Sequence, residues 1–179
     1  MKRKSIKTQV KEFFFTNPTI KLRVRQIERE LKLPLPSILR YTKELTEETI
    51  LKRIETSGVV FFSANRSSKM YLLEKKLYNI KKLYNVKLVD FLIEELSNPA
   101  IILFGSYSKG EDVENSDVDL YIQTVSTKKI DTKKFEVKLK RKIQIFKYKT
   151  IFDVTNMDLA NNIINGVNLN GNIEVFKSG

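Results

Sequence analysis

The chain contains no cysteine and no histidine. The first absence excludes disulfides and thiolate zinc sites, and the second removes imidazole both as a metal ligand and as a general base. No run approaches the roughly 18 apolar residues that a membrane span needs. The basic start MKRKSIK leads into a polar helical pattern rather than the apolar core of a signal peptide. The expectation is a soluble cytoplasmic protein with no membrane partner, and any catalysis in it must rest on carboxylates and metal. No internal repeat occurs, and no low-complexity tract beyond lysine enrichment. At 179 residues and 41% hydrophobic content, the chain suits one medium domain or two small ones with a packed core.

The most informative stretch lies past the middle. Ala100 to Phe104 (AIILF) is a short apolar run that reads as a buried strand stopping at Gly105. Gly105 lets the backbone approach a ligand closely. Ser106 adds a hydroxyl where the first N–H groups of a turn or short helix, Tyr107 to Gly110, would face a phosphate, and Lys109 brings positive charge. Asp117 and Asp119 follow, and Leu120, Tyr121 and Ile122 carry the next strand. Side chains two apart on a strand share a face, with Cα atoms roughly 6.5 Å apart. Two such carboxylates repel each other, and a divalent cation with oxygen ligands relieves that repulsion, so magnesium is the natural partner. The bland reading is an ordinary Gly-Ser turn and a solvated strand end. Strand, Gly-Ser, ten residues, Asp-x-Asp and strand in that order argue against it.

In GSYSKGEDVENSDVDL, Gly105 to Leu120, the chain resembles the minimal nucleotidyltransferases of the DNA polymerase beta superfamily. The resemblance runs from about Leu88 to the C-terminus. It implies that Gly105 and Ser106, with Lys109 and Ser116 as further candidates, bind a nucleoside triphosphate, ATP being the first candidate. It implies that Asp117 and Asp119 are the catalytic metal ligands, for two Mg2+ ions. The implied reaction transfers a nucleoside monophosphate to an acceptor as pyrophosphate leaves, with metal charge and positioning supplying most of the work. Active members usually add a third carboxylate from the next strand. Here that strand is Ile143 to Phe146, and its polar position is Gln144, whose amide neither accepts a proton at neutral pH nor matches a carboxylate as a magnesium ligand. Glu136 sits on a helix spanning Thr132 to Arg141 and is expected to face solvent. Asp153 and Glu174 are the other acidic candidates.

The net charge of +12 is uneven: residues 1–70 carry 16 Lys and Arg against 7 Asp and Glu. A basic block of this kind points to a polyanion, most directly nucleic acid. Solubility in a lysine-rich protein is the plainer explanation. Helices are expected over Ser5–Thr16 and Val24–Leu31, and a third, capped by Ser37 after Leu33-Pro34-Leu35-Pro36, runs to about Leu45. Strands Ile50–Glu55 and Val59–Ser63 flank the turn Thr56-Ser57-Gly58. Three helices and a hairpin resemble the winged helix-turn-helix domains of prokaryotic transcription regulators. That resemblance implies a third helix in a major groove with Ser37, Arg40, Tyr41 and Lys43 outward, and phosphate contacts from Arg53, Arg66 and Lys69. It also admits a homodimer. The same layout serves other proteins as an interaction module.

Tyr71 to Tyr84 reads as a stiff helical connector with an apolar stripe at 73, 77, 80 and 84, core or dimer interface in character. Val86 to Leu96 is a further helix, ended by Ser97-Asn98-Pro99. A helix over Asn156–Asn165 ends at Gly166, and an extended element, Val167–Phe176, closes the chain. The tail NIINGVNLNG is similar to the end of archaeal winged-helix nucleotidyltransferase-like proteins. The expected fold class is α+β. A winged helix-turn-helix spans 1–70, a helical connector 71–87, and a nucleotidyltransferase domain with a mixed sheet flanked by helices 88–179. Two functions compete. One is a transferase acting on a nucleic-acid end, a protein hydroxyl such as that of a small helical toxin-like partner, or a small molecule. The other is a DNA-binding regulator or antitoxin-like protein whose transferase domain binds nucleotide but transfers weakly or not at all.

Overall fold

The computed structural model describes residues 4–176, so Met1, Lys2 and Arg3 of the basic start and the last three residues of the expected second domain lie outside the described residues. The chain divides into two compact units, 1–78 and 79–179.

In the first unit, Ser5 starts α1 (Ile6–Thr16) by accepting the Thr8 N–H at 3.1 Å, and Asn17 closes it by donating its side-chain amide to the Phe13 carbonyl at 2.9 Å. The two caps satisfy backbone groups that the helix itself leaves orphaned. Val10, Phe14 and Phe15 form the buried face of α1. A two-residue strand β1 (Lys21–Leu22), too short for its pattern to be read from sequence, leads into α2 (Val24–Leu31) and then α3 (Leu35–Glu47). Ser37 is not the cap expected of it: α3 begins at Leu35, with Pro34 at the N-cap and Pro36 inside the first turn. Proline is tolerated there because a first-turn N–H has no helical partner to lose. Ile38 and Leu45 are fully buried. Strands β2 (Leu51–Thr56) and β3 (Val59–Ala64) form an antiparallel hairpin across Ser57 and Gly58, both at positive φ, and β1 pairs on the other side of β3 in the order β1-β3-β2.

The division between units falls within α4 (Lys69–Asn85). The stripe expected at 73, 77, 80 and 84 is buried only in part: Leu73 and Leu77 are 51% and 56% exposed, whereas Ile80 packs against the core of the second unit. Tyr71 is buried instead, against Phe15, and Leu83 lies in the core of the second unit. A 3.6-residue period defines faces, but the neighbours decide which face is covered.

The second unit is a four-stranded mixed sheet. Helix α5 (Leu88–Glu95) starts two residues later than expected because Lys87 sits in the left-handed region. Then come β4 (Ala100–Phe104), α6 (Gly105–Lys109), β5 (Val118–Gln123), α7 (Lys133–Leu139), β6 (Ile143–Tyr148), a 3-10 turn at Ile151–Asp153, α8 (Met157–Ile164) and β7 (Val167–Asn170). The strand order is β6-β5-β4-β7, with β5 and β6 parallel and the other pairs antiparallel. The closing element is shorter than expected, because β7 stops at Asn170 and Gly171 turns the chain at positive φ.

Strand alternation sorts the side chains onto two faces. Ile101, Leu103, Val118, Leu120 and Ile122 join Leu88, Leu92, Phe135 and Leu139 in one apolar core. On the opposite face Ile102, Phe104, Tyr121 and Phe146 pack with Ile151, Val154 and Ile163. Gly166 permits this second layer: a Cβ there would meet Ile102 Cγ2 at 2.5 Å and the Leu103 carbonyl at 2.7 Å.

Candidate active site

The apolar layer on the second face covers only part of it. Asp119 pairs with Phe104 on β4 and with Gln144 on β6, and Asp117 lies two residues back on the same side. Tyr121, one step along, forms the floor. Its ring stacks near Tyr148 at 6.2 Å, its hydroxyl donates to Gln123 Oε1 at 3.2 Å, and burial, then the charge of Asp153 and Tyr148, pushes its phenol up to about 12. The group therefore stays neutral and cannot act as a base near pH 7.

The decisive contact is between the two halves of the motif. Gly105 has φ +72°, and a Cβ at that position would fall 2.3 Å from Asp119 Oδ2. The acidic side chain therefore lies directly against the glycine bend, in space that only a residue without a side chain leaves open. Burial, with a smaller contribution from Asp117, raises the Asp119 carboxyl above the usual carboxylate range. Two half-buried acids facing one way are a donor set suited to a hard divalent cation. The residues present thus fit magnesium on two ligands. Among the described residues, no group of three acidic side chains forms.

Ser106 is half-buried at the start of α6, which begins two residues earlier than expected, and Lys109 is exposed near its end. Ser116 is engaged locally: its hydroxyl accepts the Val113 N–H at 2.9 Å and its own N–H donates to the Val113 carbonyl at 3.0 Å. That turn immediately precedes Asp117. Gln144 stands in register beside Asp119. Glu136 does not face solvent as expected. Its Oε1 accepts the Ile143 N–H at 2.9 Å and pins the start of β6, because an otherwise orphaned strand-end donor needs a partner. Asp153 closes its own turn by accepting the Thr150 N–H and hydroxyl at 2.8 and 2.9 Å, and Glu174 is exposed near the end of the described chain.

One element escaped the sequence reading. Asp112, 1% exposed, accepts from Asn79 Nδ2 at 2.7 Å and from Arg141 Nη2 at 3.5 Å. Asn79 also donates to the Tyr107 carbonyl at 2.9 Å, and Arg141 to the Lys140 carbonyl at 2.9 Å. This buried network ties α6, the segment leading to Asp117 and the turn before β6 to one point. No sequence spacing announces it, because its members are 33 and 29 residues apart.

Residues 87–178 match the family described as Polymerase beta, Nucleotidyltransferase, which is just over half of the chain. The chain belongs to this family. Nucleotidyl transfer is the activity of the family at the superfamily level, and a nucleoside triphosphate is the substrate class that the nucleotidyltransferase domain implies. The curated proteins and the solved structures returned no match. No helix among the described residues is long and apolar enough to cross a membrane.

In the first unit, the residues expected to meet DNA lie along α3 and β2, with Arg66 after β3 and Lys69 at the start of α4. Arg40 and Lys43 are exposed, and Ser37 and Tyr41 are half-buried. The Arg40 guanidinium donates to Glu44 at 2.8 Å and lies over the Tyr41 ring at 5.3 Å. Hydrogen bonds from Arg40, then Lys7, hold the Glu44 carboxyl below its usual range. Arg53 pairs with Glu55 at 2.8 Å, Lys43 lies 4.0 Å from Glu47, and Arg66 and Lys69 are exposed. Each of these pairs is solvent-exposed and weak, so a polyanion can displace the acid.

Proposed function

We propose that the nucleotidyltransferase domain transfers a nucleoside monophosphate from a nucleoside triphosphate, ATP being the first candidate, to a hydroxyl acceptor in a magnesium-dependent reaction. The observation that carries this reading is the contact of Asp119 with Gly105, which unites the phosphate-binding bend and the acidic pair. Gly105 and Ser106 hold the triphosphate, with Lys109 adding charge, and Asp117 and Asp119 hold the metal ions. Magnesium, when bound, neutralises the triphosphate and polarises the attacking hydroxyl. The acceptor oxygen bonds to the α-phosphorus, the bond from that phosphorus to the bridging oxygen breaks, and pyrophosphate leaves. The acceptor proton passes to water, since the side chain beside Asp119 is an amide.

Gln144 supports a second reading, a regulator or antitoxin-like protein that binds the metal-nucleotide without efficient transfer. The variant Gln144→Glu separates the two. A third carboxylate in register with Asp119 is expected to raise transfer of labelled nucleotide by roughly 100-fold, the scale of a positioned general base. An unchanged rate in Gln144→Glu, with wild-type transfer already brisk, excludes the second reading. Measurable transfer in neither chain, despite nucleotide binding by titration calorimetry, excludes the first.

The first unit is proposed as a winged helix-turn-helix that binds DNA, supported by three helices and an antiparallel hairpin in a basic segment. Arg40→Ala is expected to weaken a preferred sequence by about 1 to 3 kcal/mol at physiological salt, read by fluorescence anisotropy. Binding that vanishes at moderate salt with no sequence preference would leave only a basic surface.

A further inference from the structure

The order of the sheet gives Asp119 two different flanks. Its partner on β4, Phe104, leads straight into the Gly105 bend, whereas its partner on β6 is Gln144, in the outermost strand on that side. Neighbouring strands lie about 4.8 Å apart, so the bend and the amide flank the acid from opposite directions. Displacement at phosphorus is in line, with the attacking oxygen entering opposite the leaving one. With the triphosphate held at Gly105 and Ser106, the acceptor oxygen arrives on the side of Gln144.

That flank offers hydrogen-bond donors and no base. Gln144 is exposed, and its amide nitrogen can donate two hydrogen bonds while its oxygen takes no proton near neutral pH. Lys142, two residues earlier, is exposed as well. The Val118 N–H donates to the Lys142 carbonyl at 2.8 Å, which carries the ladder back to Lys142 and sets it on the face of Gln144 by strand alternation. The nearest acids in the chain on either side of β6 are Glu136 and Asp153, and both are engaged, by the Ile143 N–H and by Thr150. The chain has no histidine. An alcohol arriving here meets no group that takes its proton, but a phosphate monoester gives up its second proton to water at about pH 6 and arrives already charged.

We propose that the acceptor is a phosphate monoester, whose own oxygen attacks the α-phosphorus, and that Gln144, aided by Lys142, selects it over an alcohol. The inference rests on the transferase reading above and narrows its acceptor hydroxyl to one borne by phosphorus. The monoester oxygen bonds to the α-phosphorus, the bond from that phosphorus to the bridging oxygen breaks, and pyrophosphate leaves with the electron pair. The product is a phosphoanhydride. A carboxylate in place of the amide would repel the charged acceptor and suit an alcohol instead.

Glycerol phosphate carries both kinds of acceptor in one molecule and serves as the probe. The full chain is incubated with it, α-labelled ATP and magnesium, and the labelled product is treated with alkaline phosphatase. Transfer to the phosphate gives an anhydride that the phosphatase leaves intact, whereas transfer to a carbon-borne hydroxyl gives a diester that loses its free phosphate and changes mobility. The expected result is an excess of anhydride over diester of about ten-fold or more, since nothing at the site activates the alcohol. Gln144→Glu should lower the anhydride about ten-fold by charge repulsion and raise the diester roughly 100-fold as a positioned base, inverting the ratio. Gln144→Met, of similar size and uncharged, should lower the anhydride without raising the diester. Calorimetry with magnesium and a non-hydrolysable ATP analogue gives a second readout, in which Gln144→Glu should weaken glycerol phosphate binding about ten-fold. Diester in excess in the wild type, or a ratio and an affinity that Gln144→Glu leaves unchanged, would overturn the phosphate acceptor while the transferase reading stands. Failure of the ATP analogue to bind would remove that reading itself, and analogue binding without either product would remove both in favour of the nucleotide-binding regulator.

Discussion

Asp117→Asn together with Asp119→Asn is expected to abolish incorporation of labelled nucleotide, by roughly a thousand-fold, while the protein remains folded. The reason is local. The two side chains share a face by strand alternation, with Asp119 against the Gly105 bend, and asparagine keeps their shape while removing the negative charge that holds a hard cation. Asp119 is partly desolvated and repelled by Asp117, so neutralising the pair should leave the melting temperature unchanged or slightly higher. Loss of activity with a lowered melting temperature would instead indicate damage to the fold. Gly105→Ala provides the complementary failure. A methyl 2.3 Å from Asp119 Oδ2, on a backbone at φ +72°, must displace the acid or the bend, and triphosphate binding itself should be lost. Transfer that survives the double asparagine change would remove the chemistry proposed for this domain.

Asp112→Ala is expected to destabilise the protein by about 3 to 5 kcal/mol, because it leaves the Arg141 guanidinium buried without its carboxylate. The side chains are 1% and 5% exposed, so solvent does not screen the loss. Urea unfolding followed by circular dichroism measures it. Asp112→Leu with Arg141→Met removes both charges and should recover most of the stability, since replacing a buried pair by apolar groups is frequently neutral. A double variant as unstable as Asp112→Ala would mean that the hydrogen bonds of Asn79 and the Lys140 carbonyl, and not charge pairing, dominate this network.

Much of the transferase unit was legible in the sequence, because its strands announce themselves through apolar runs and alternation. Ala100–Phe104 was bounded as expected, and the parity of Asp117 and Asp119 followed from strand geometry. What the sequence concealed was set by long-range pairing. The register that brings Gln144 beside Asp119 depends on how β6 meets β5. Glu136 was expected in solvent because helix periodicity does not reveal a backbone N–H seven residues ahead. The stripe at 73 and 77 had the right period but does not face the core, since Phe15 collects Tyr71 and Tyr78 on another side of α4. Pro36 concealed the true start of α3, where the backbone could begin a helix two residues before the first suitable cap.

The pin at Glu136 has a consequence for the chemistry of the site. β6 is the outermost strand on its side of the sheet, held laterally by β5 alone. A slip of one residue would exchange its two faces, turning an isoleucine toward the aspartates and burying the amide. A single carboxylate gripping the Ile143 amide thus works as a latch on which residue confronts the reacting phosphate, and loosening it would rewrite the site without altering any residue in it.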